Sequence, residues 1–567
     1  MKKSLKKMLA CVLAVLMCFS VFVGCAPTDP NVEQINPNKS QLFVFNFNGG
    51  YGTSWLEEAK VRYEELHKDD VYEPGKKGIQ IYINAQKTGV EALSTSIIDG
   101  RDEVFFTEYA YYYTLKNRGV LGDITDAVTA DLGAYGDPAG TTIESKLTAE
   151  QINYFGVKED DGETHYYGLP HYAGYGGLMY NVDMFEQYNY YFTANPLTDD
   201  LADQFIFKAD EEKSAGPDGQ KGTYDDGLPA TYEQFWQLCE WISQAGHVPV
   251  MWNGANNADY LNYLSRSLAV DYEGLDQMMI NYTLEGTAEN LGTINGDGEF
   301  VFDAQDTTIT EQTGNELTRQ AGKYYSLKFM EKLIKYGGGK YHNDRGFNTA
   351  FSHMDAQDDF LYAGHDGTTK ATAMLVEGIW WQSEATQTFN DMVASTGDQM
   401  SKKNRRFAIM PLPKATADKV GEGVTLYDHI YSMCFIKPNM TGWKQEVALD
   451  FIKFLHTNES LVKFTQITDT PKAMTYTMTN TEKEALTPFA KSVVDMKERA
   501  DIVYPYSTNA TYINNQSFFA DMFSTTIEGL DVQFAAKAFG ESDVITAEMY
   551  FNGLKVYRDR NWATIIA

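Results

Sequence analysis

Residues 41–67 read QLFVFNFNGGYGTSWLEEAKVRYEELH. The run Leu42–Phe47 is apolar on both faces, as expected of a strand buried inside a parallel sheet. A glycine-rich loop, NGGYGT, follows it. Ser54 and Glu57, three residues apart, then predict a capping box opening a helix that places Leu56, Ala59, Tyr63 and Leu66 on one face. Strand, loop and helix in that order make up the repeating unit of α/β proteins. The same grammar continues outward. IQIYINA predicts a second strand, DEVFFTEY ends a third, and YYYTLKNRGVLGDITDAV reads as a helix and turn.

A second block of the same kind begins near GLMYNVDMF (177–185). Thr231 and Gln234 predict the start of a helix whose Phe235, Leu238, Cys239 and Ile242 form one stripe. HVPVMWNG and KATAMLVEGIWWQSE read as strands running into loops, and RFAIMPLP as an extended strand ended by proline. The helix KQEVALDFIKFLH turns Val447, Phe451, Phe454 and Leu455 inward. Trp55 and Trp241 lie on helical stripes and read as core. Residues 207–229 (FKADEEKSAGPDGQKGTYDDGLP) and 281–305 look inserted, the first acidic and glycine-rich, the second an irregular loop with a hairpin. Such insertions belong on a surface. No internal repeat of 20–50 residues is visible.

With 567 residues, 43% hydrophobic and 14% aromatic, the chain can bury a large core, and its size favours more than one lobe. The net charge of −31 comes without any basic run, which argues against nucleic acid and against adhesion to anionic lipid through the folded surface. MKKSLKK is a basic leader and MLACVLAVLMCFSVFV an apolar segment, so residues 1–24 read as a secretory signal. Gly24–Cys25 resembles the lipobox of bacterial lipoproteins, with Phe22 where leucine is usual. This implies lipid on Cys25, a tether over 25–40 and a place on the extracellular face of the bacterial cytoplasmic membrane. Removing the signal takes away Lys2, Lys3, Lys6 and Lys7, leaving 43 basic against 78 acidic groups, a net −35. Of the five cysteines only Cys239 and Cys434 lie beyond the signal and its lipid site, and both read as buried free thiols.

Enzyme signatures are absent. There is no His-Glu-x-x-His, no Gly-x-Ser-x-Gly and no phosphate loop, and GGGKYHND (337–344) reads as a helix stop. HMDAQDDFLYAGHD (353–366) gathers two His and four Asp, but the spacing names no metal and the segment reads as a solvated loop. Aromatic and amide residues at strand ends are more telling, because open α/β sheets bind ligands beyond the carboxyl ends of their strands. Such positions include Asn48–Tyr51, Thr107–Glu108, Trp252–Asn253 and Trp380–Trp381. An indole or phenol covers the C–H face of a sugar ring, while Asp, Glu and Asn satisfy its hydroxyl rim.

These pieces together resemble the carbohydrate-binding lipoproteins of bacterial ABC importers, the group that includes maltose-binding protein. The resemblance runs from about residue 42 to at least 475 and rests on ordered segments. These are NGGYGTSWLEEAKVRYEEL, GVLGDIT, YGLP with GLMYNVDMF, LPATYEQF, AMLVEGIW, FAIMPLPK, KQEVALDFIKFLHTNESLVKF and TPKA. It implies an α/β fold of two lobes joined by three crossing segments. The implied lobes are 41–171 with 433–503, and 172–432 with 504–567. The crossings would fall at YGLP…YN, where Gly174, Gly176 and Gly177 would permit hinge torsions and Tyr172 and Tyr175 would face the cleft, near LYDHIYSM (426–433, with Asp428 and Tyr431), and near VYPYST (503–508, with Tyr506). By position the resemblance assigns sugar contact to Gly50, Tyr51, Thr107, Glu108 and, as the stacking residue, Trp380. Gly-Gly-Tyr stands where that family often has a charged group, so hydroxyl reading in the first loop departs from the pattern.

The implied function is capture of a mono- or oligosaccharide by a monomeric receptor and delivery to an ABC permease, with no catalytic residue and no required cofactor. A surface-anchored glycoside hydrolase or lyase, and a binding lipoprotein for peptides or another solute, remain the alternatives. The acidic insertion supplies Asp218, Asp225 and Asp226 as hard oxygen ligands among turn-forming glycines, which suits a structural calcium ion equally with a merely solvated turn.

Overall fold

A computed structural model describes residues 34–90, 97–205, 212–336, 340–365, 370–515 and 535–567. The predicted signal, Cys25 and most of the tether lie outside these residues, as does 207–211 of the acidic insertion. No helix among the described residues is long and apolar enough to cross a membrane.

The strands that organise the molecule are β1 (Ser40–Phe47), β2 (Ile79–Gln86), β3 (Val104–Thr107), β4 (Leu169–Pro170), β5 (Gly176–Asn181), β6 (Val248–Met251), β7 (Thr372–Gly378), β8 (Phe407–Met410), β9 (Thr425–Tyr427), β10 (Met433–Ile436) and β11 (Asp501–Val503). They form two main sheets. The first has the order β2-β1-β3-β10-β4, with β1 parallel to β2 and β3, and β10 antiparallel to β3 and β4. The second has the order β8-β5-β7-β6, with β7 parallel to β6 and antiparallel to β5. Each sheet has its own core. Leu42, Val44, Ile81, Val104 and Phe106 pack in the first, and Leu178, Phe235, Val250 and Val376 in the second. The described chain is thus an α/β protein of two lobes. Between them β9 pairs in parallel with β11.

The helix after β1, α1 (Ser54–Leu66), turns Leu56, Ala59 and Tyr63 into the first core. Its N-cap is Thr53 without a side-chain cap, so the expected Ser54–Glu57 capping box does not form. Leu66 is exposed, since the helix ends there and its last turn overhangs the core. In the second lobe α2 (Tyr232–Gln244) starts on Thr231, whose hydroxyl accepts from Gln234 N at 3.3 Å. The long α3 (Asn257–Thr283) packs across β5 and β7 and breaks direction at Gly274, whose φ of 75° only glycine adopts readily. The 281–305 insertion carries a two-stranded hairpin, Gly292–Ile294 with Phe300–Phe302.

Two further expectations change. Residues 353–362 are a helix, α4 (His353–Tyr362), capped by Ser352 and Asp355, not a loop. Helix α5 (Pro488–Lys497) falls within the stretch expected in lobe 1 but packs on β8 of lobe 2. Its stripe Phe489, Val493 and Met496 seats beside Trp381 and Phe407. A stripe foretells that a helix packs, not which sheet receives it. Gly174, Gly176 and Gly177 of the first crossing all lack positive φ, so no torsion in this arrangement demands glycine there. Gly174 is needed for close approach, because a methyl there would meet Ile430 of the second crossing closer than 3.0 Å. Cys239 and Cys434 are buried free thiols, as read from sequence.

Candidate functional site

The carboxyl ends of β1 and β3 in lobe 1 face the end of β7 and the start of α3 in lobe 2. Two adjoining cavities lie between them, of about 930 Å³ and about 300 Å³, and both are lined by Gly49, Gly50, Tyr51, Lys87, His353 and Glu384. The smaller adds Glu108 and Tyr109 from lobe 1, and Asp259, Tyr260, Tyr263 and Trp380 from lobe 2. Aromatic faces and carboxylates alternate around one cleft to which both lobes contribute.

Trp380 is placed by two glycines. A methyl on Gly378 would fall against the six-membered ring of the indole closer than 3.0 Å, so only glycine lets the ring fold back over the strand end. From lobe 1, Gly50 approaches so closely that a methyl there would lie 3.0 Å from Trp380 Cβ and 3.1 Å from Cδ1. Tyr263 meets the indole edge to face at 5.9 Å. Tyr51 packs on Tyr172 at 4.1 Å and donates its hydroxyl to the Ala173 carbonyl at 3.0 Å, tying the first loop to the first crossing.

The acids are held in an environment that disfavours their charge. Burial, and then the Glu384 carboxylate, push Glu108 up to about 8, while Lys87 opposes the shift. Glu108 also accepts the Tyr172 hydroxyl. Burial raises Glu384 as well, against pulls from Gln357, His353 and Lys87. Glu377, behind it, is raised by burial and by Glu384. Tyr109, at the cleft rim, holds a φ of 53°, and Tyr431 beside it a φ of 50°. The two segments are joined by Tyr109 N donating to Ile430 O and Ala110 N to Tyr431 O. Left-handed backbone at bulky residues is costly and persists where surrounding contacts enforce it.

Of the residues singled out from sequence, Asn48, Gly49, Gly50, Tyr51, Glu108 and Trp380 come together in the cleft. Thr107 and Tyr172 lie just beneath, around a void of about 10 Å³, with the Thr107 hydroxyl donating to Met433 O at 3.3 Å. The others line neither cavity, each for a local reason. Trp381 sits one step around the turn from Trp380 and is fully buried against Phe360, Phe407 and Phe489. Trp252 is buried and donates its indole N–H to Gly346 O at 2.8 Å. Asn253 accepts from Asn256 N at 2.7 Å, closing the turn before α3. Tyr175 and Asp428 pair through their backbones at the hinge. There Asp428 accepts from Ile430 N at 3.0 Å, and burial pushes it up to about 6. Tyr431 turns its hydroxyl to Tyr427 at 3.2 Å, and Tyr506 stacks on Tyr154 at 4.4 Å and on Tyr504 at 5.5 Å.

Sequence reasoning missed Lys87, Tyr109, Tyr260, Tyr263, His353 and Glu384. Glu384 carried a signal: it lies four residues after Trp380, one helical turn on. Tyr260 and Tyr263, three apart at a helix start after a strand end, carried another.

In the described part of the acidic insertion Asp218, Asp225 and Asp226 each accept from their own loop, while Asp226 Oδ1 is buried without a partner. Asp225 accepts from Asp218 N at 2.9 Å and Thr223 Oγ1 at 2.6 Å, Asp218 from Gln220 N at 2.7 Å, and Asp226 from Gly222 N at 2.8 Å. Among the described residues no group of three His, Cys, Asp or Glu side chains is arranged to hold a metal ion.

No family model and no curated protein matches the sequence. Solved structures do. The chain is similar to a chitin oligosaccharide binding protein, with 14% identity, a TM-score of 0.51, and 90% of this chain and 95% of that one covered. It is similar to the solute-binding protein RafE in complex with raffinose, with 13% identity, a TM-score of 0.51, and 93% and 100% covered. It is likewise similar to maltose-bound T. maritima MalE3, with 13% identity, a TM-score of 0.50, and 91% and 98% covered. At these identities the likeness is one of fold: this chain has the two-lobe fold of the maltose-binding-protein-like solute-binding proteins.

Proposed function

We propose that the chain is a carbohydrate receptor that captures an oligosaccharide between its lobes and hands it to an ABC-type importer. The observation that carries this reading is the placement of Trp380. Its indole, 7% exposed, lines the interlobe cleft, positioned by Gly378 of its own strand and faced by Gly50 of the opposite lobe, among Tyr260, Tyr263 and three carboxylates. An aromatic platform with a rim of acceptors suits a sugar ring. The fold shared with proteins described as binding chitin oligosaccharide, raffinose and maltose supports the same class of ligand.

The mechanism is population shift. A ligand that touches both walls binds the closed arrangement better than the open one and favours it by that difference in affinity. The closed lobes then offer the permease a joint surface. Lipid on Cys25 would hold the receptor at the extracellular face of the cytoplasmic membrane, as a monomer beside its permease. Mass spectrometry of the membrane-extracted protein tests this part: a diacylglyceryl mass on a chain beginning at Cys25 supports it, and an unmodified N-terminus overturns it.

The ligand class is tested by thermal shift of the purified protein against panels of oligosaccharides and of peptides. The proposal expects stabilisation by sugars and none by peptides; stabilisation by peptides alone overturns it. New reducing ends in the same mixtures would turn the reading from receptor to hydrolase.

A further inference from the structure

The smaller cavity holds more carboxyl groups than cations, whereas the larger adds Lys402 and Lys403. A methyl on Gly49 would meet Glu108 Oε1 at 2.7 Å, and one on Gly50 would meet Glu384 Oε1 at 3.1 Å, so carboxylates from opposite lobes flank the same dipeptide. Asp259, at the start of α3, adds a third. Behind Glu384 lies Gln357, fully buried. It gives its Nε2 to Glu384 at 2.8 Å and to Glu377 at 3.3 Å, and its Oε1 has no partner. Against this set stand Lys87 and His353. Even with Lys87 near, burial shifts Glu108 and Glu384 away from their charged forms, and the Glu384 carboxylate shifts Glu108 further. In the smaller cavity Glu108, Glu384 and Asp259 therefore outnumber the single lysine, Lys87.

A neutral sugar supplies hydroxyl donors but no cation to draw these carboxyl groups into their ionised forms. A ring bearing a protonated amine supplies three N–H donors and a unit charge, and the faces of Trp380, Tyr260 and Tyr263 attract a cation as well as a C–H surface. Resting on the receptor reading above, we infer that the cleft selects oligosaccharides carrying a free amino group over their N-acetylated and neutral counterparts. The ammonium would sit between Glu108 and Glu384 and so bridge the lobes, coupling recognition of charge to closure.

The test is isothermal titration calorimetry near neutral pH with four ligands: the β-1,4 trimer of glucosamine, the same trimer fully N-acetylated, a glucose trimer, and spermidine. The inference expects the amine trimer to bind at least about tenfold more tightly than the other two sugars, and expects added salt to erode that advantage. It also expects the advantage to collapse in Glu384→Gln and in Glu108→Gln. Since the advantage is a ratio of affinities within one variant, a change in that variant's stability does not mimic it. Equal or tighter binding of the N-acetylated or glucose trimer overturns the inference and leaves the receptor reading standing, as does an amine advantage unchanged in both variants. Binding of no sugar, or of spermidine above all three sugars, overturns both.

Discussion

Gly378→Ala probes the placement of Trp380 with one methyl group. The new Cβ falls against the indole closer than 3.0 Å, and the ring has little room to retreat because Gly50 of the opposite lobe lies so near that even a methyl on it would stand 3.0 and 3.1 Å from Trp380 Cβ and Cδ1. Overpacking of this kind costs about 1–3 kcal/mol. The control is Gly177→Ala on the neighbouring strand, where Gly177 pairs with Glu377 in the register that pairs Gly176 with Gly378. A methyl on Gly177 meets no atom within 4 Å. Without a clash, glycine to alanine stabilises by about 0.4–1 kcal/mol by restricting the unfolded chain. Urea unfolding followed by circular dichroism should therefore move the two midpoints in opposite directions. The double variant Gly378→Ala/Trp380→Ala isolates the cause: once the indole is gone the methyl has no ring to strike, and the coupling between the two changes should equal the clash, about 1–3 kcal/mol. Displacing the indole should also weaken binding of an identified sugar about tenfold or more, equivalent to about 1.4 kcal/mol. Identical midpoints for the two alanine variants, or full additivity in the double variant, would refute the claim that Gly378 positions the ring.

Other consequences are equally direct. Lys472 is buried, lies over Trp55 and Phe464, and sits 2.6 Å from His171 Nδ1. Burial pushes its ammonium down to about 7. The unfolded chain then holds more protons than the folded one between about pH 7 and 10.4, so this group makes stability rise with pH across that window. Lys472→Met should flatten that part of the wild-type stability profile; a parallel profile would refute the assignment. Lys414 and Asp271 form a buried pair at 3.0 Å, with Lys414 also donating to Gly423 O at 2.8 Å. Lys414→Met strands the carboxylate and should cost about 3–5 kcal/mol, while Lys414→Met/Asp271→Leu should recover most of it, both measured by denaturant unfolding. Cys239 and Cys434 are both 0% exposed, so a thiol reagent should label neither in the native protein and both after unfolding.

The fold was legible because strands and helices announce themselves by local pattern. The apolar run of β1 and the stripe of α2 predict their own burial. What lies between elements was less legible. The sequence places a tryptophan pair at 380 and 381 without saying that the backbone turns one indole to the cleft and the other to the core. Gly174, Gly176 and Gly177 look like hinge residues by type, yet Gly174 is required by Ile430, which is 256 positions away in the chain and adjacent only in the fold. The distant wall of the cleft was invisible for the same reason: Tyr260, Tyr263 and Glu384 reach the site only once lobe 2 is folded against lobe 1. Likewise, α5 carries a clear apolar stripe, but its partner is set by tertiary packing.

The central claim is that a sugar lies between the lobes against the indole of Trp380, and the most direct measurement is calorimetric titration of wild type and Trp380→Ala with oligosaccharides that stabilise the wild type. The account predicts one-to-one binding by the wild type and at least about a tenfold loss in the variant at near-unchanged circular dichroism. A folded variant that binds the same sugar as tightly as the wild type would contradict it.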